Sequence, residues 1–561
     1  MSGRFCDMGR AATLCSCNMS GNTEVSALSS RGKCRILVAT MPESVAEPVT
    51  VTPAEPQNQT EVFAVHGADP EVLAYAMAKY SRSALSMKDS LKEISSQRAE
   101  QFLNTFYFQY GHRSIADLAH IAFAIERLSL LAAISLVDEQ RWDGQERSTR
   151  YQNFKKSGWY MPDFGTDRDA AQLYRDSVEG LFTAYHELTE GMFERLKQQV
   201  AKPAEMKQES YDRTLKARAF DIGRYLLPLA TNTSLGQIVN ARTLETQVSR
   251  LLSSPYAEIR QLGERLRSAA TGASWNVHSE ELAGLQREIA ALDPTLGAKA
   301  EALLTREVKT APTLVKYAAP NSYEIETKRE LAQAAAELMQ GAVIAEAPVV
   351  DLVERKESLE AEIAATLLYG ASHYPYRQIR DHVAVLNESQ INEIVALGTR
   401  HRGRHDELLR EFSAGQSLRF DILMDIGGFR DMHRHRRCVQ VIQGYTTAHG
   451  YDIPEGVAEA GLQSQYEAAM QSAHKAHAKL AAEAGEAADY ILPLGIRMRA
   501  LFKMDFAEAL YISELRSQPQ GHFSYRRVAW EMYEAVRKQH PALAQYFRVT
   551  DVNEPVDLLK R

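Results

Sequence analysis

Two short stretches of this 561-residue chain carry side chains suited to binding a phosphorylated ligand. The first is Arg434-His435-Arg436, which lies inside a longer basic run. Arginine presents planar donors that match phosphate oxygens, and it stays charged at neutral pH. A solvated helix face and a nucleic-acid patch are the simpler interpretations of such a run. The formal net charge of −7 disfavours nucleic acid, and no third ligand has a spacing that would turn the run into a metal site.

The second stretch is Glu-Arg-Ser-Thr-Arg-Tyr at residues 146–151. Ser148 offers a hydroxyl that orients a polar ring, and Arg150 offers a second guanidinium for an anion. A surface pair of Glu146 and Arg150, four residues apart on a helix, is the structural alternative.

Each stretch follows the same kind of strand and helix. Ile121, Phe123 and Ile125 alternate with small or polar residues, which predicts a strand with one buried face, and helical spacing follows from Leu128. We expect His120 to be a core or capping histidine. In the second half a strand is predicted over residues 418–424, followed by a short helix through GGFRDMHRHRR and, much earlier, by an Ala/Glu-rich helix at roughly 328–345.

These elements recur at a nearly constant offset. The two strands are 420 − 123 = 297 residues apart, and two Leu-Pro-Leu elements are 493 − 228 = 265 residues apart. An order-preserving repeat of this kind indicates duplication. The predicted organisation is a disordered tail (1–60), a first repeat (61–300), a linker with a connecting helix (301–345) and a second repeat (346–561).

Composition favours a cytoplasmic protein that is not embedded in a membrane. The longest apolar run, Leu128–Val137, has ten residues, whereas a membrane span needs about 20. The tail contains a Pro/Glu/Thr/Val-rich stretch that cannot bury a core. Four of the five cysteines lie in the first 34 residues, which is not a disulfide framework. A metal knuckle and a transit peptide are the minor alternatives for this segment, and Cys438 is expected to be a small core residue.

Together, these motifs resemble those of the flavin-dependent thymidylate synthases. That family carries Gly-His-x-Ser/Thr, then Arg-His-Arg-x-x-Ser, Glu-x-Ser-x-Arg-Tyr, Ala-Arg-x-x-Leu-Pro and a late Asn-Ala-Arg…Arg helix. The first half matches all of these except Arg-His-Arg, which reads Asp138-Glu139-Gln140. The second half keeps Arg-His-Arg and a late Leu515-Arg516, but Val439 replaces the serine, and residues 442–447 replace the Glu-x-Ser-x-Arg loop.

The resemblance implies an α+β fold in which each repeat is a small antiparallel sheet packed with helices. The family's enzymes are homotetramers with sites between subunits, so the retained motifs of the two halves are expected to form one composite site. The reciprocal site, from residues 138–140 and 442–447, would be dead. We expect a homodimer of tandem chains that mimics the tetramer.

The implied reaction is reductive methylation of dUMP to dTMP with FAD, NADPH and 5,10-methylenetetrahydrofolate. Ser148 and Arg150 are the implied catalytic residues. The implied substrate-binding residues are Glu146, Ser148, Arg150, Arg224, Arg250 and Arg434, and the implied cofactor-binding residues are His112, Ser114, Asn240, Arg242, Arg434, His435 and Arg436. A flavoenzyme for another pyrimidine nucleotide and a non-catalytic flavin- or nucleotide-binding protein remain open alternatives.

Overall fold

The computed structural model describes residues 63, 65, 67–79, 86–93, 113–154, 157–353, 358–403, 409–412, 418–544 and 547–559. The predicted tail, residues 1–60, lies outside these ranges. None of the helices in the described part is both long enough and apolar enough to cross a membrane.

The first half alternates helices with three short strands. Its elements are α1 (Pro70–Lys79), α2 (Met87–Glu93), β1 (His120–Ser129), α3 (Leu130–Leu136), β2 (Asp143–Glu146), α4 (Arg168–Gln199), α5 (Gln208–Gly223), β3 (Asn232–Asn240), α6 (Ala241–Leu252) and α7 (Ala257–Thr271). Short 3₁₀ helices at Arg113–Leu118 and Arg224–Leu226 precede β1 and β3.

Three helices lie between the halves, namely α8 (Ser279–Leu292), α9 (Pro294–Leu304) and α10 (Ser322–Leu338). The second half contains β4 (Val350–Leu352), α11 (Leu359–Gly370), α12 (Tyr376–Val383), α13 (Glu388–Leu397), β5 (Leu418–Asp425), α14 (Ile426–Met432), β6 (Val439–Ile442), α15 (Gln463–Ala484), β7 (Arg497–Met504), α16 (Phe506–Arg516), α17 (Phe523–Gln539) and α18 (Pro541–Ala544). Two 3₁₀ helices, Arg410–Phe412 and Gly485–Ile491, complete it.

Two predicted helices have different ends in the structure. The helix expected at roughly 328–345 begins at Ser322, because the Asn321 side chain accepts the N–H of Glu324, and it ends at Leu338, shortly before Gly341 at a φ of 77°. The helix after β5 ends at Met432, so the basic run lies in the turn that follows it.

Each half contains the same three-stranded arrangement. The first sheet has the order β1-β3-β2, and the second has the order β4-β5-β7-β6, with antiparallel pairing throughout. Strands β5, β7 and β6 therefore repeat β1, β3 and β2, and β4 extends the second sheet. Because helices cover these small antiparallel sheets, the predicted α+β class is confirmed.

The two Leu-Pro-Leu elements pair with each other across a local twofold axis. The N–H of Leu229 donates to the carbonyl of Leu492, and the N–H of Leu494 donates to the carbonyl of Leu227, both at 2.9 Å. Each residue thus contacts the equivalent of its partner, since 492 − 227 and 494 − 229 are both 265. Reciprocal contacts of this kind define an isologous interface, here formed between two halves of one chain.

A β-bulge explains why two offsets differ by one residue. Strand positions Phe123 and Phe420 pair with equivalent residues of the neighbouring strand and are 297 apart, whereas the helix-capping residues Ser129 and Asp425 are 425 − 129 = 296 apart. The pairing register of β1 shifts at Arg127, which has a φ of 61°. The first repeat therefore carries one extra residue in this strand.

The hydrophobic core is continuous between the halves. Its largest cluster includes Leu131 and Leu229 from the first half and Phe429 and Leu494 from the second. Because the core crosses the interface, truncating one of these leucines to alanine would cost about 2–5 kcal/mol and would loosen both halves. This shared core holds the two sets of motif residues at a fixed distance.

Candidate active site at the interface of the two halves

The first-half loop turns inward directly after β2. The Ser148 hydroxyl accepts the backbone N–H of Arg150 at 3.2 Å, which tightens the turn and directs the chain into the interface. Arg150 is consequently buried, with 7% of its surface exposed.

Both halves hold the Arg150 guanidinium. Its Nε and Nη2 donate to the two carboxylate oxygens of Asp221 at 2.8 and 3.2 Å. Its Nη1 donates to the Tyr525 hydroxyl at 2.8 Å, and Nη2 also donates to the carbonyl of Gln520 at 3.2 Å. Burial acts to lower the pKa of Arg150, but the Asp221 carboxylate outweighs burial and raises it. Arg150 therefore stays charged and orders the interface through all three of its nitrogens.

The second half contributes α14 and the turn after it. Asp425 caps this short helix by accepting the N–H of Gly428 at 2.6 Å. From the helix, Arg430 forms an ion pair with Glu146, and both side chains are only 10% exposed. The carboxylate expected to bind substrate therefore joins the two halves.

Asp431 lies at the centre of the arginine cluster, which we define as Arg150, Arg224, Arg434 and Arg516. Nη1 of Arg224 lies 3.4 Å from Oδ2 of Asp431. Burial acts to raise the pKa of Asp431, but the positive charges of the cluster outweigh burial and lower it. The structure thus brings Arg150 and Arg224 of the first half toward the segment that carries Arg434.

Arg224 has unused hydrogen-bond donors inside this cluster. Its side chain is 2% exposed, and its Nε and Nη2 have no hydrogen-bond partner among the described residues. A buried guanidinium with unmatched donors is costly, and a bound anion would satisfy it. This is the strongest local indication of an anion site.

Arg250 does not join the arginine cluster, contrary to the sequence-based expectation. Its Nε and Nη2 donate to Oε1 of Glu139 at 3.0 and 2.7 Å, in a different cleft. In the second half the equivalent contact runs from Nε of Arg516 to Nε2 of His435 at 2.8 Å. The late arginine of each half contacts the middle position of its own half's motif, so Arg516 takes the place that was expected for Arg250.

His435 and Arg436 are both engaged in protein contacts. Burial lowers the pKa of His435, which keeps the ring neutral so that Nε2 accepts from Arg516, while Nδ1 faces Glu508 at 3.7 Å. Arg436 donates to the carbonyls of Val137 and Glu139 at 2.6 and 3.0 Å. Of the three motif side chains, only Arg434 is exposed.

A cleft of about 480 Å³ opens beside the cluster, between the two halves. Arg434, Arg436 and Asn240 line it, together with Trp142, whose ring lies under the Arg436 guanidinium at 4.7 Å. Asn240 caps α6 through its side-chain oxygen, which leaves its amide group for a ligand. His120, expected in the core, is instead exposed at the first residue of β1 and lines this cleft.

The remaining predicted cofactor residues are not brought to this cleft. His112 and the side chain of Ser114 lie outside the described residues. Arg242 pairs with Asp117 at 3.4 Å and lines the other cleft.

The other cleft, of about 1380 Å³, occupies the place of the reciprocal site. Its lining includes residues 138–140 and Ile442, from the two altered motifs. Here Asp138 pairs with Arg410 at 2.6 Å, and Glu139 pairs with Arg250. Acid–base pairs thus replace the free cations that a phosphate site needs.

Two further observations complete the site. Cys438 is buried at 4% exposure, and burial raises the pKa of its thiol to about 12, so it is a core thiol as expected. Sequence reasoning missed Asp221, Asp431 and Tyr525, and it noted Arg516 without placing it at the site. The position of Asp431, three residues before Arg434, was the available signal.

Comparison with known proteins decides the family. The model of the family described as thymidylate synthase complementing protein matches residues 64–272 and 351–542, once in each half. The chain belongs to this family. The two matched regions coincide with the two equivalent sheets and their helices, so the family arrangement occurs in tandem.

Long relatives share this double-length architecture. A UPF0159 protein from Chlamydia muridarum is 28% identical over 523 residues, which are 86% of this chain and 91% of that protein. UPF0159 protein Ta1429 from Thermoplasma acidophilum is 26% identical over 521 residues, 85% of this chain and 95% of that protein. A flavin-dependent thymidylate synthase from Clostridium tetani is 23% identical over 202 residues, 36% of this chain and 77% of that protein, so it matches only part of this chain.

Two solved structures are also similar over one third of the chain. The UMP/dUMP methylase from Streptomyces cacaoi bound with 5-Br UMP has 18% identity and a TM-score of 0.25, covering 36% of this chain and 86% of that chain. The flavin-dependent thymidylate synthase from Helicobacter pylori complexed with FAD and dUMP has 15% identity and a TM-score of 0.22, covering 36% and 89%.

Proposed function

We propose that this protein is a flavin-dependent methylase of a pyrimidine nucleoside monophosphate, with dUMP as substrate and one composite site built from both halves. Methylenetetrahydrofolate would supply the carbon, and NADPH would reduce FAD. Membership of the family supports the reaction class. The single observation that carries the proposal is the buried Arg224 with free Nε and Nη2 donors, in contact with the segment that carries Arg434.

The arginine cluster is suited to a phosphate dianion. Its four positive charges are offset locally by Asp431 and Asp221, which leaves a net positive charge for the ligand. Guanidinium groups bind phosphate through paired donors, and such bonds are strong in a site shielded from water. Arg224 would bind the phosphate directly, while Arg150 would hold the geometry from its fixed position.

The residues of the smaller cleft fit part of a flavin cofactor. Arg434 and the Asn240 amide offer donors for a diphosphate, and Trp142 offers an aromatic face. FAD would supply the hydride for the reaction, whereas the protein binds and orients it. Arg436 and His435 would act indirectly, because their side chains already hold Glu139 and Arg516 in place.

Cofactor content and hydrogen release together test this proposal. Purified protein should show the absorbance of an oxidised flavin near-stoichiometrically with the chain. Given methylenetetrahydrofolate and NADPH, it should release tritium from dUMP labelled at C5. If the protein carries no flavin and releases no tritium, the proposal is wrong.

A related nucleotide is the second candidate substrate. Val439 and the altered loop at 442–447 depart from the family's motifs, and the Asp431 carboxylate adds a strong acceptor beside the arginines. A screen of UMP, dUMP, CMP and dCMP in the C5-release assay distinguishes the two, because the higher kcat/KM identifies the substrate.

A further inference from the structure

Tyr525 connects two arginines of the cluster. It lies in the first turn of α17 and is 5% exposed. The guanidinium carbons of Arg150 and Arg516 both lie over its ring, each 5.5 Å from the ring centroid. Cation–π contacts of this kind hold both guanidinium groups against one rigid side chain.

The Tyr525 hydroxyl has a proton that no described residue uses. The oxygen accepts from Nη1 of Arg150 at 2.8 Å, and no hydrogen bond in the described part of the chain has this hydroxyl as the donor. A phenol can donate one hydrogen bond in addition to accepting. The hydroxyl therefore remains able to donate to a ligand that enters the arginine cluster.

The equivalent position in the first half lacks this group. Ser524 hydrogen bonds to the helix cap Asp425, and Glu258 makes the same kind of contact with the cap Ser129. The residue after Glu258 is Ile259, an apolar residue that is 2% exposed. The hydroxyl thus occurs on the side of the interface that keeps the arginines, and an apolar side chain occurs on the side with acid–base pairs.

We propose that Tyr525 is a further substrate-binding residue, which fixes Arg150 and Arg516 and donates its hydroxyl proton to the phosphate of the nucleotide. This inference rests on the proposed function, because it takes the ligand of the cluster to be a nucleoside monophosphate. The surrounding positive charge favours an anionic acceptor, and a hydrogen bond to a charged oxygen is stronger than a neutral one.

The substitution Y525F removes the hydroxyl and keeps the ring between the arginines. We expect the Kd for dUMP, measured by titration calorimetry, to rise about 10- to 100-fold, as for the loss of a hydrogen bond to a charged group. In the C5-release assay KM should rise while kcat stays nearly constant. Flavin content and thermal midpoint should not change, whereas a merely structural role would lower both together.

The matched control is Y533F, on the same helix. The Tyr533 ring packs against Trp530 and Phe547, away from the cluster, so its dUMP affinity should equal that of the wild type. If the wild type binds dUMP and Y525F binds it equally well, the role of Tyr525 is wrong and the proposed function stands. If the wild type does not bind dUMP at all, both are overturned.

Discussion

Nη1 of Arg224 lies 3.4 Å from Oδ2 of Asp431, and this ion pair joins the first half of the chain to the second at the arginine cluster. Each partner comes from a half whose own motif set is incomplete. Because the shared core fixes the interface, neither half can present this pair alone.

Replacing Arg224 should weaken nucleotide binding more than it weakens folding. R224K keeps the charge but loses the planar donors, so we expect dUMP affinity to fall by about 1–3 kcal/mol. R224Q should lose more. Titration calorimetry measures both, with R260Q as a control at an exposed arginine outside the cluster. Unchanged affinity in R224Q would exclude Arg224 from the site.

D431N should have opposite effects on stability and on anion binding. Removing the carboxylate leaves the arginines without their central counter-charge, so the free energy of unfolding should fall by about 1–3 kcal/mol. The same change makes the cluster more positive, so inorganic phosphate should bind more tightly. Urea unfolding and phosphate titration measure the two effects, and weaker phosphate binding would contradict this account.

Glu146 and Arg430 should be coupled energetically across the interface. Both side chains are mostly buried in one ion pair, so a double-mutant cycle of E146Q, R430Q and the double variant should give a coupling of about 0.5–3 kcal/mol in unfolding free energy. Strict additivity would mean that this contact does not join the halves.

Acid should destabilise the protein partly through His435. Its pKa in the folded protein lies below the ordinary 6.5 because the ring is buried, so the unfolded chain takes up a proton first as the pH falls. Unfolding free energy should therefore be complete above about pH 6.5 and should decrease below it.

H435Q can still accept from Arg516 but cannot titrate, so its loss of stability between pH 7.5 and 5.5 should be smaller than that of the wild type. His433 and His449, whose pKa values burial also lowers, remain in the variant, so part of the slope persists. Equal slopes in urea unfolding would exclude His435 as a contributor.

The sequence predicts the strands, the duplication and the division of motifs, because alternation and spacing are local properties. Strand β5 and the turn that carries Arg434 follow directly from them. The partner of each arginine does not, since pairing across a twofold axis depends on which surfaces meet.

Arg250 and Arg516 illustrate this limit. Both match the same motif position, and only the interface shows that Arg516 faces the cluster while Arg250 pairs with Glu139. Tyr525 has no motif around it, and its role depends on contacts with Arg150, 375 residues away in sequence.

The most direct test of a single composite site is the stoichiometry of dUMP binding, combined with one substitution in each half. Titration calorimetry on the intact protein should find one site per chain, abolished by R224Q in the first half and equally by R516Q in the second, and retained in R250Q. Two sites per chain, or loss of binding in R250Q with retention in R516Q, would contradict the account.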